Sequence, residues 1–338
     1  LKASVVFDGQ GNAFVADMAG DLQARDRSGE RLWSRSLGAG ISATPVLALE
    51  DAMICAADHA GEVSAFDALT GAPRWTRRMP SARDPRILSD LLHLPGSSRI
   101  VFSSWSGRFF ALDAATGETQ LEWDAGISPR SAASAGEDEA VYCTRAVWER
   151  GVELVRVDGV GEEAVLLREP EDSRGAGRAL VAAAPVLDEV RGRVYLVVNR
   201  ERTGEIVAWS TGTAAVLWRR DLGAAVQGTP ALLSGGEIVV GDLAGRVHGL
   251  TLDGERLFER DLGCDYLLAG GIGVGRDHFV VGDPLGGIWE VDRGGGAKRL
   301  FEVSRSVEGR PSMDPWGGLH VPCMDRRVHR LAPVGVPG

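Results

Sequence analysis

Lysine and asparagine are almost missing from this chain. Lys2 and Lys298 are the only lysines and Asn12 and Asn199 the only asparagines among 338 residues, so 35 of the 37 basic side chains are arginine. Cysteine is also scarce: Cys55, Cys143, Cys264 and Cys323 stand far apart with no CxxC and no adjacent pair. That spacing excludes a zinc-ribbon pattern and a dense disulfide framework. Cys55, Cys143 and Cys323 fall in apolar strand-like runs, where a thiol reads as a small buried hydrophobe. No apolar run approaches the roughly 18 residues of a membrane-spanning helix. Nor is there a block of like charge, and 47 acidic against 37 basic residues give a net charge of −10. An acidic chain repels phosphate backbones, which argues against a nucleic-acid partner. With 44% hydrophobic and 25% charged residues the composition is that of a folded globular protein. Residues 1–20 hold no apolar core behind a basic start, and the first residue is Leu1, so the chain is expected to be cut or processed and any export signal to lie upstream.

What the sequence does have is repetition. The phrase Gly61-Glu62-Val63-Ser64-Ala65-Phe66-Asp67-Ala68-Leu69-Thr70-Gly71-Ala72-Pro73-Arg74-Trp75 returns as Gly20 to Asp26 with Ser28-Gly29 and Trp33, as Gly107 to Asp113 with Thr116-Gly117, and as Gly204 to Ser210 with Thr213 and Trp218. Weaker copies start at Gly151, Gly245, Gly286 and Arg326. The eight starts, at 20, 61, 107, 151, 204, 245, 286 and 326, are 40 to 53 residues apart and cover the chain. Each copy divides into four short runs with Gly, Asp or Pro at the joints; in the second these are 43–49, 52–58, 61–67 and 73–79. Such runs are strands joined as a meander of hairpins. No long stretch keeps a 3.6-residue apolar period, so helix should be nearly absent. Four antiparallel strands repeated eight times at this spacing predict an all-β, eight-bladed β-propeller occupying 1–338 as a single domain. The 53-residue spacing between the fourth and fifth copies is expected to place its excess in a 198–204 hairpin and a 168–180 loop.

The repeated residues read as structural. Asp17–Gly20, Asp58–Gly61, Asp242–Gly245 and Asp283–Gly286 are Asp-x-x-Gly turns, in which Asp bonds the turn backbone and Gly supplies a positive φ. A calcium ring would need several oxygen ligands per ion, and these carboxylates belong to separate blades. Trp33, Trp75 and Trp218 share one repeat position at the start of the outermost strand, with Leu121, Val165, Phe258 and Leu300 as equivalents. There a large ring packs over the small Ala24, Ala65 or Ala208 and holds down an edge.

The A-x-D-x-x-T-G-x-x-x-W phrase, Ala65 to Trp75 and nearly so in three other copies, resembles the repeat of pyrroloquinoline-quinone-like (PQQ-like) propellers. WD40 repeats fit less well, because Trp123-Asp124 is the only such dipeptide. The resemblance implies either a quinoprotein dehydrogenase or a non-enzymatic scaffold of the BamB-like branch. The enzymes of this family carry a vicinal Cys-Cys and a calcium held by Glu and Asn beside a catalytic Asp. This chain has no vicinal cysteines, and Asn12 and Asn199 lack such a setting. His59, His93, His248, His278, His320 and His329 are scattered without metal-ligand spacing, and there is no GxSxG, Walker loop or HExxH.

The expectation is therefore a non-enzymatic, monomeric scaffold that binds protein through its loop faces, with no catalytic residues, cofactor or metal. The alternative is a propeller that binds a quinone or sugar, as a sensor module or as part of a quinoprotein-type oxidoreductase. The resemblance leans toward the periplasm or cell envelope. The links from each outermost strand to the next innermost strand vary most, and they gather Arg83, Arg86, Arg130, Arg174, Arg178, Arg305 and Arg310 on one face. Arginine binds carboxylates bidentately, which makes this a candidate partner-binding rim. The plain alternative is a solvated rim with local ion pairs to Asp84, Glu169, Glu171 and Asp172. Finally, the eighth copy runs out before an outermost strand, so that strand is expected from residues before Leu1 or from a shortened pairing of Leu1 to Ser4.

Overall fold

The computed structural model describes residues 1–80, 84–126, 132–147, 151–169, 179–180, 183–200, 202–268, 270–274 and 277–331. They form eight antiparallel sheets in chain order, an eight-bladed β-propeller. Among the described residues the one helical segment is a three-residue 3-10 turn, Glu189–Arg191.

The second blade shows the pattern, with strands Val46–Ala48, Met53–Ala57, Glu62–Asp67 and Pro73–Arg78 paired in that order from the channel outward. Its second and third strands are buried along nearly their whole length, while the outermost strand hides only Trp75. This gradient explains why the inner strands read as apolar runs and the outer one as an arginine-rich edge. The fifth blade has an extended hairpin, Arg193–Arg200 with Thr203–Ser210, whose register runs out to Arg200 opposite Thr203. It also has two short inner segments, Ala179–Leu180 and Val186–Asp188, paired with the same strand. The expected hairpin is therefore present, whereas most of the 168–180 loop lies outside the described residues.

The core lies between blades rather than within them. Seven apolar clusters each join two consecutive blades, from the first and second to the seventh and eighth. Burial of this kind needs a neighbour, which is why one repeat alone could not fold. Between blades eight and one the described residues instead leave a cleft of about 510 Å³ toward the rim. Nearer the axis this seam is closed by the Phe7 and His320 rings, 4.5 Å apart, and by Arg27 lying 3.9 Å over Trp316.

The turn and edge residues do their expected work. Oδ1 of Asp58 accepts the Ala60 and Glu62 amides at 2.9 Å each, and Asp17, Asp242 and Asp283 repeat the arrangement. Gly61 sits at φ +82 with the Pro85 carbonyl where a Cβ would be, so only glycine fits. On the outer strands Trp33, Trp75 and Trp218 stand directly across from Ala24, Ala65 and Ala208.

The outer strands of blades one, two, five and six also fasten each of these to the next blade, which the sequence reading did not anticipate. Trp33 Nε1 donates to the Ala68 carbonyl, Trp75 to Ala114 and Trp218 to Leu252, at 2.8 to 2.9 Å. Two residues on, Arg35 reaches the Gly71 carbonyl at 2.6 Å and Arg220 the Gly254 carbonyl at 2.7 Å. Arg260, following Phe258, does the same at Gly295. The rings lie so close to Gly71, Gly117 and Gly254 that an added Cβ would meet them at 2.6 Å. The Thr-Gly of the repeat phrase is thus the seat for the previous blade's tryptophan.

The eighth blade has three strands among the described residues, Ser312–Met313, Leu319–Pro322 and Val328–Leu331. Leu1 to Ser4 do not supply its fourth, contrary to that part of the expectation. The Leu1 ammonium donates instead to the Cys323 carbonyl at 2.9 Å, the contact made in blade one by the Ile41 amide with Asp17. Leu1 thus occupies a blade-to-blade link position, and its backbone donor is used there rather than in a sheet.

Candidate functional site

One face of the disc carries the Asp-x-x-Gly turns and the outer-to-inner links together, tied by backbone bonds such as His59 to Gly40, Trp105 to Arg86 and Met324 to Ser306. Of the seven rim arginines, Arg86, Arg305 and Arg310 are described; Arg83, Arg130, Arg174 and Arg178 lie outside the described residues.

Arg86 is held from two sides. Its Nε and Nη2 form a fork on Asp84 at 2.6 to 3.1 Å, and its guanidinium lies 5.4 Å from the Trp105 ring. Hydrogen bonding within the pair holds Asp84 below the usual carboxylate value and raises Arg86. This is one of the local ion pairs considered above. The Arg86 side chain remains exposed. Arg305 is exposed, and its carbonyl accepts from the Cys323 thiol.

Arg310 stands apart, in the central channel. Its Nε donates to the Gly271 carbonyl at 3.2 Å, and no carboxylate among the described residues comes within ion-pair distance. The side chain is open to water along the bore yet ringed by protein, so desolvation lowers its pKa, with Asp90 acting in the opposite sense. The cavity there is only about 180 Å³ and is lined by Lys2, Thr44, Asp90, Thr229, Glu308 and Arg310 among others. Lys2 is paired with Glu308 at 3.0 Å.

The channel wall is stitched from blade to blade: the Ser4 amide bonds Thr44 Oγ1, the Thr44 amide bonds Asp90 Oδ1, and the Ala184 amide bonds Thr229 Oγ1. These lining residues were missed by sequence reasoning, although a signal was present. Thr44, Ala184, Thr229 and Arg310 each precede a proline at the same phase of the repeat. A residue before proline is held extended, which turns its side chain into the bore.

Catalytic groupings are sparse. Ser42 Oγ lies 2.8 Å from His59 Nε2, but no carboxylate among the described residues orients the other ring nitrogen. His248 is buried against Asp242 Oδ2 at 2.8 Å, inside a turn. Hydrogen bonds from His248 and the turn amides hold Asp242 below its usual value despite burial. All four cysteines are free and buried, and burial pushes Cys55 and Cys143 up to about 12. A thiol so raised is a poor nucleophile.

An all-β ring of eight such blades built on this repeat defines a PQQ-like propeller. Within that class the chain belongs to the family of the outer membrane protein assembly factor BamB, whose sequence model matches residues 1–141 and 145–309. No curated protein matches the chain in sequence. Among solved structures it is similar to BamB from Moraxella catarrhalis, at 15% identity and TM-score 0.75 over 98% of this chain and 96% of that one. It is also similar to the computationally designed Ika8 protein, at 15% identity and TM-score 0.71 over 97% and 95%. A europium-containing methanol dehydrogenase matches at 12% identity and TM-score 0.60 over 83% of this chain and 72% of that one. At these identities the likeness is one of fold.

Proposed function

We propose that this protein is a non-enzymatic scaffold, working in the cell envelope, that docks acidic segments of a protein partner on its link face through the rim Arg83, Arg86, Arg130, Arg174, Arg178 and Arg305. The observation that carries the reading is the presentation of Arg86. Asp84 and Trp105 fix the guanidinium while the side chain as a whole stays exposed, so little side-chain entropy is lost when a carboxylate arrives. Family membership supports an assembly scaffold and, with it, the envelope.

A quinone or sugar site at the channel mouth is less well supported by volume. A channel cavity of about 180 Å³ falls below the roughly 300 to 1,000 Å³ of small-molecule pockets.

The test is capture of a partner from extracts of the native host at increasing salt. Arg83→Ala with Arg86→Ala, and Arg174→Ala with Arg178→Ala, should each weaken capture and flatten its salt dependence with melting unchanged. Undiminished capture by both double variants would move the site elsewhere.

A further inference from the structure

At the top of the eighth blade the structure gathers three donor side chains that spacing along the sequence did not single out. Cys323, Asp325 and His329 each bring one ligand atom to within 4.8 Å of the others. Asp325 Oδ2 and His329 Nε2 are 2.8 Å apart, and the thiol is buried beneath them.

The other blades show what this turn requires. Cys323 stands where Asp17, Asp58, Asp242 and Asp283 stand, as the Arg326 amide bond to its carbonyl shows. Arg326 takes the glycine position, at φ +69. Asp325 replaces Ala19, Ala60, Ala244 or Leu285, and His329 replaces Gln23, Ser64, His248 or Trp289. In those turns a single aspartate caps both amides, and in blades six and seven its second oxygen also holds the facing ring nitrogen.

In blade eight these duties have passed to Asp325, whose Oδ1 caps Arg327 and whose Oδ2 holds His329. The sulfur keeps the remaining cap at longer range, accepting the Asp325 amide at 3.5 Å, and it donates to the Arg305 carbonyl at 3.3 Å and the Ser306 carbonyl at 3.7 Å. Capping accounts for the aspartate and asks only for an acceptor at 323, which does not single out a thiol beside the carboxylate and imidazole pair.

The geometry points to a divalent metal site of the zinc class, with Cys323, Asp325 and His329 as the three protein ligands. Mixed sulfur, nitrogen and oxygen donors suit zinc, and three protein ligands leave a fourth position for water. His329 and Asp325 are partly exposed, which gives an ion a way in. On binding, the thiol proton leaves to solvent and the proton shared by His329 Nε2 and Asp325 is exchanged through solvent to Nδ1, so that the sulfur and Nε2 lone pairs go to the metal with no change of oxidation state.

The probe is cobalt(II), titrated into the full chain without chelator. The expected result is a sulfur-to-cobalt charge-transfer band that saturates at one equivalent and is displaced by zinc, together with a rise in melting temperature on adding zinc. Cys323→Ser should abolish the band and Cys264→Ser should keep it. His329→Gln, near the surface, should weaken cobalt binding by at least about tenfold and keeps the proposal falsifiable if Cys323→Ser fails to fold. No band, saturation well below one equivalent, or a band that survives Cys323→Ser would overturn the site and leave an Asp325 to His329 ion pair only.

Discussion

Blades two and eight are built from the same repeat, yet they are fastened differently. Blade two is fastened on both sides. It takes the Trp33 ring over Gly71 and the Arg35 guanidinium on the Gly71 carbonyl, and it sends Trp75 and Arg77 onto blade three. Blade eight takes its apolar packing from blade seven. Toward blade one, the described residues provide the Phe7 to His320 contact, the Arg27 to Trp316 stack and the Leu1 bond, with the 510 Å³ cleft outside them. Gly29 is the blade-one counterpart of Gly71, with φ +89, and no described atom lies within 4 Å of where its Cβ would be. The difference teaches that in this ring cohesion comes from what one outer strand does to the next blade, more than from the sheet to which it belongs.

The largest effect should follow from removing a latch. Trp75→Ala loses a buried ring and its bond to Ala114, and should cost about 3 to 5 kcal/mol in a denaturant melt. Next comes a matched pair of glycines. Gly71→Ala combines a strained left-handed residue with a methyl driven into the Trp33 ring, for about 2 to 4 kcal/mol. Gly29→Ala meets the strain alone, about 1 to 2 kcal/mol. Equal losses at the two glycines would mean that the seat is not formed as described. Arg35→Ala, which removes one hydrogen bond at a partly exposed site, should cost about 1 kcal/mol.

The smallest effect concerns pH. Burial lowers the pKa of His320, with Asp314 opposing, so the folded state favours the neutral ring. Its contribution is whole above the free imidazole value near 6.5 and is lost as pH falls below it. Stability measured from pH 7.5 to 5 should therefore decline, and His320→Gln should make the decline shallower. Burial lowers His59 and His93 as well, so the slope should shrink rather than vanish.

Much of this was legible in the sequence, because a repeat repeats its structural jobs. Asp67 and Thr70 could be read as turn residues, and the structure shows Asp67 Oδ1 accepting from the Thr70 amide and hydroxyl. Hydrogen bonding to Arg74 and Thr70 brings Asp67 down to about 2. Trp75 could be read as packing over Ala65. Its bond to Ala114, 39 residues away, could not, since the phrase shows a position without showing which blade that position faces. The channel lining was hidden for a different reason: Thr44, Thr229 and Arg310 share a backbone geometry imposed by the following proline and have no side-chain chemistry in common. That the links are rich in arginine was legible in the sequence. Which of these arginines would be fixed, as Arg86 is by Asp84 and Trp105, depended on neighbours contributed by different strands.

Amide hydrogen exchange, resolved by residue, tests the central claim most directly, namely that an outer strand with its latch locks the blade that carries it. The account predicts that amides in Val328–Leu331 exchange well before those in Glu62–Asp67, since the latter strand is paired on both sides and capped by Trp75 whereas the former is paired among the described residues only with Leu319–Pro322. Equal protection of the two strands would contradict it.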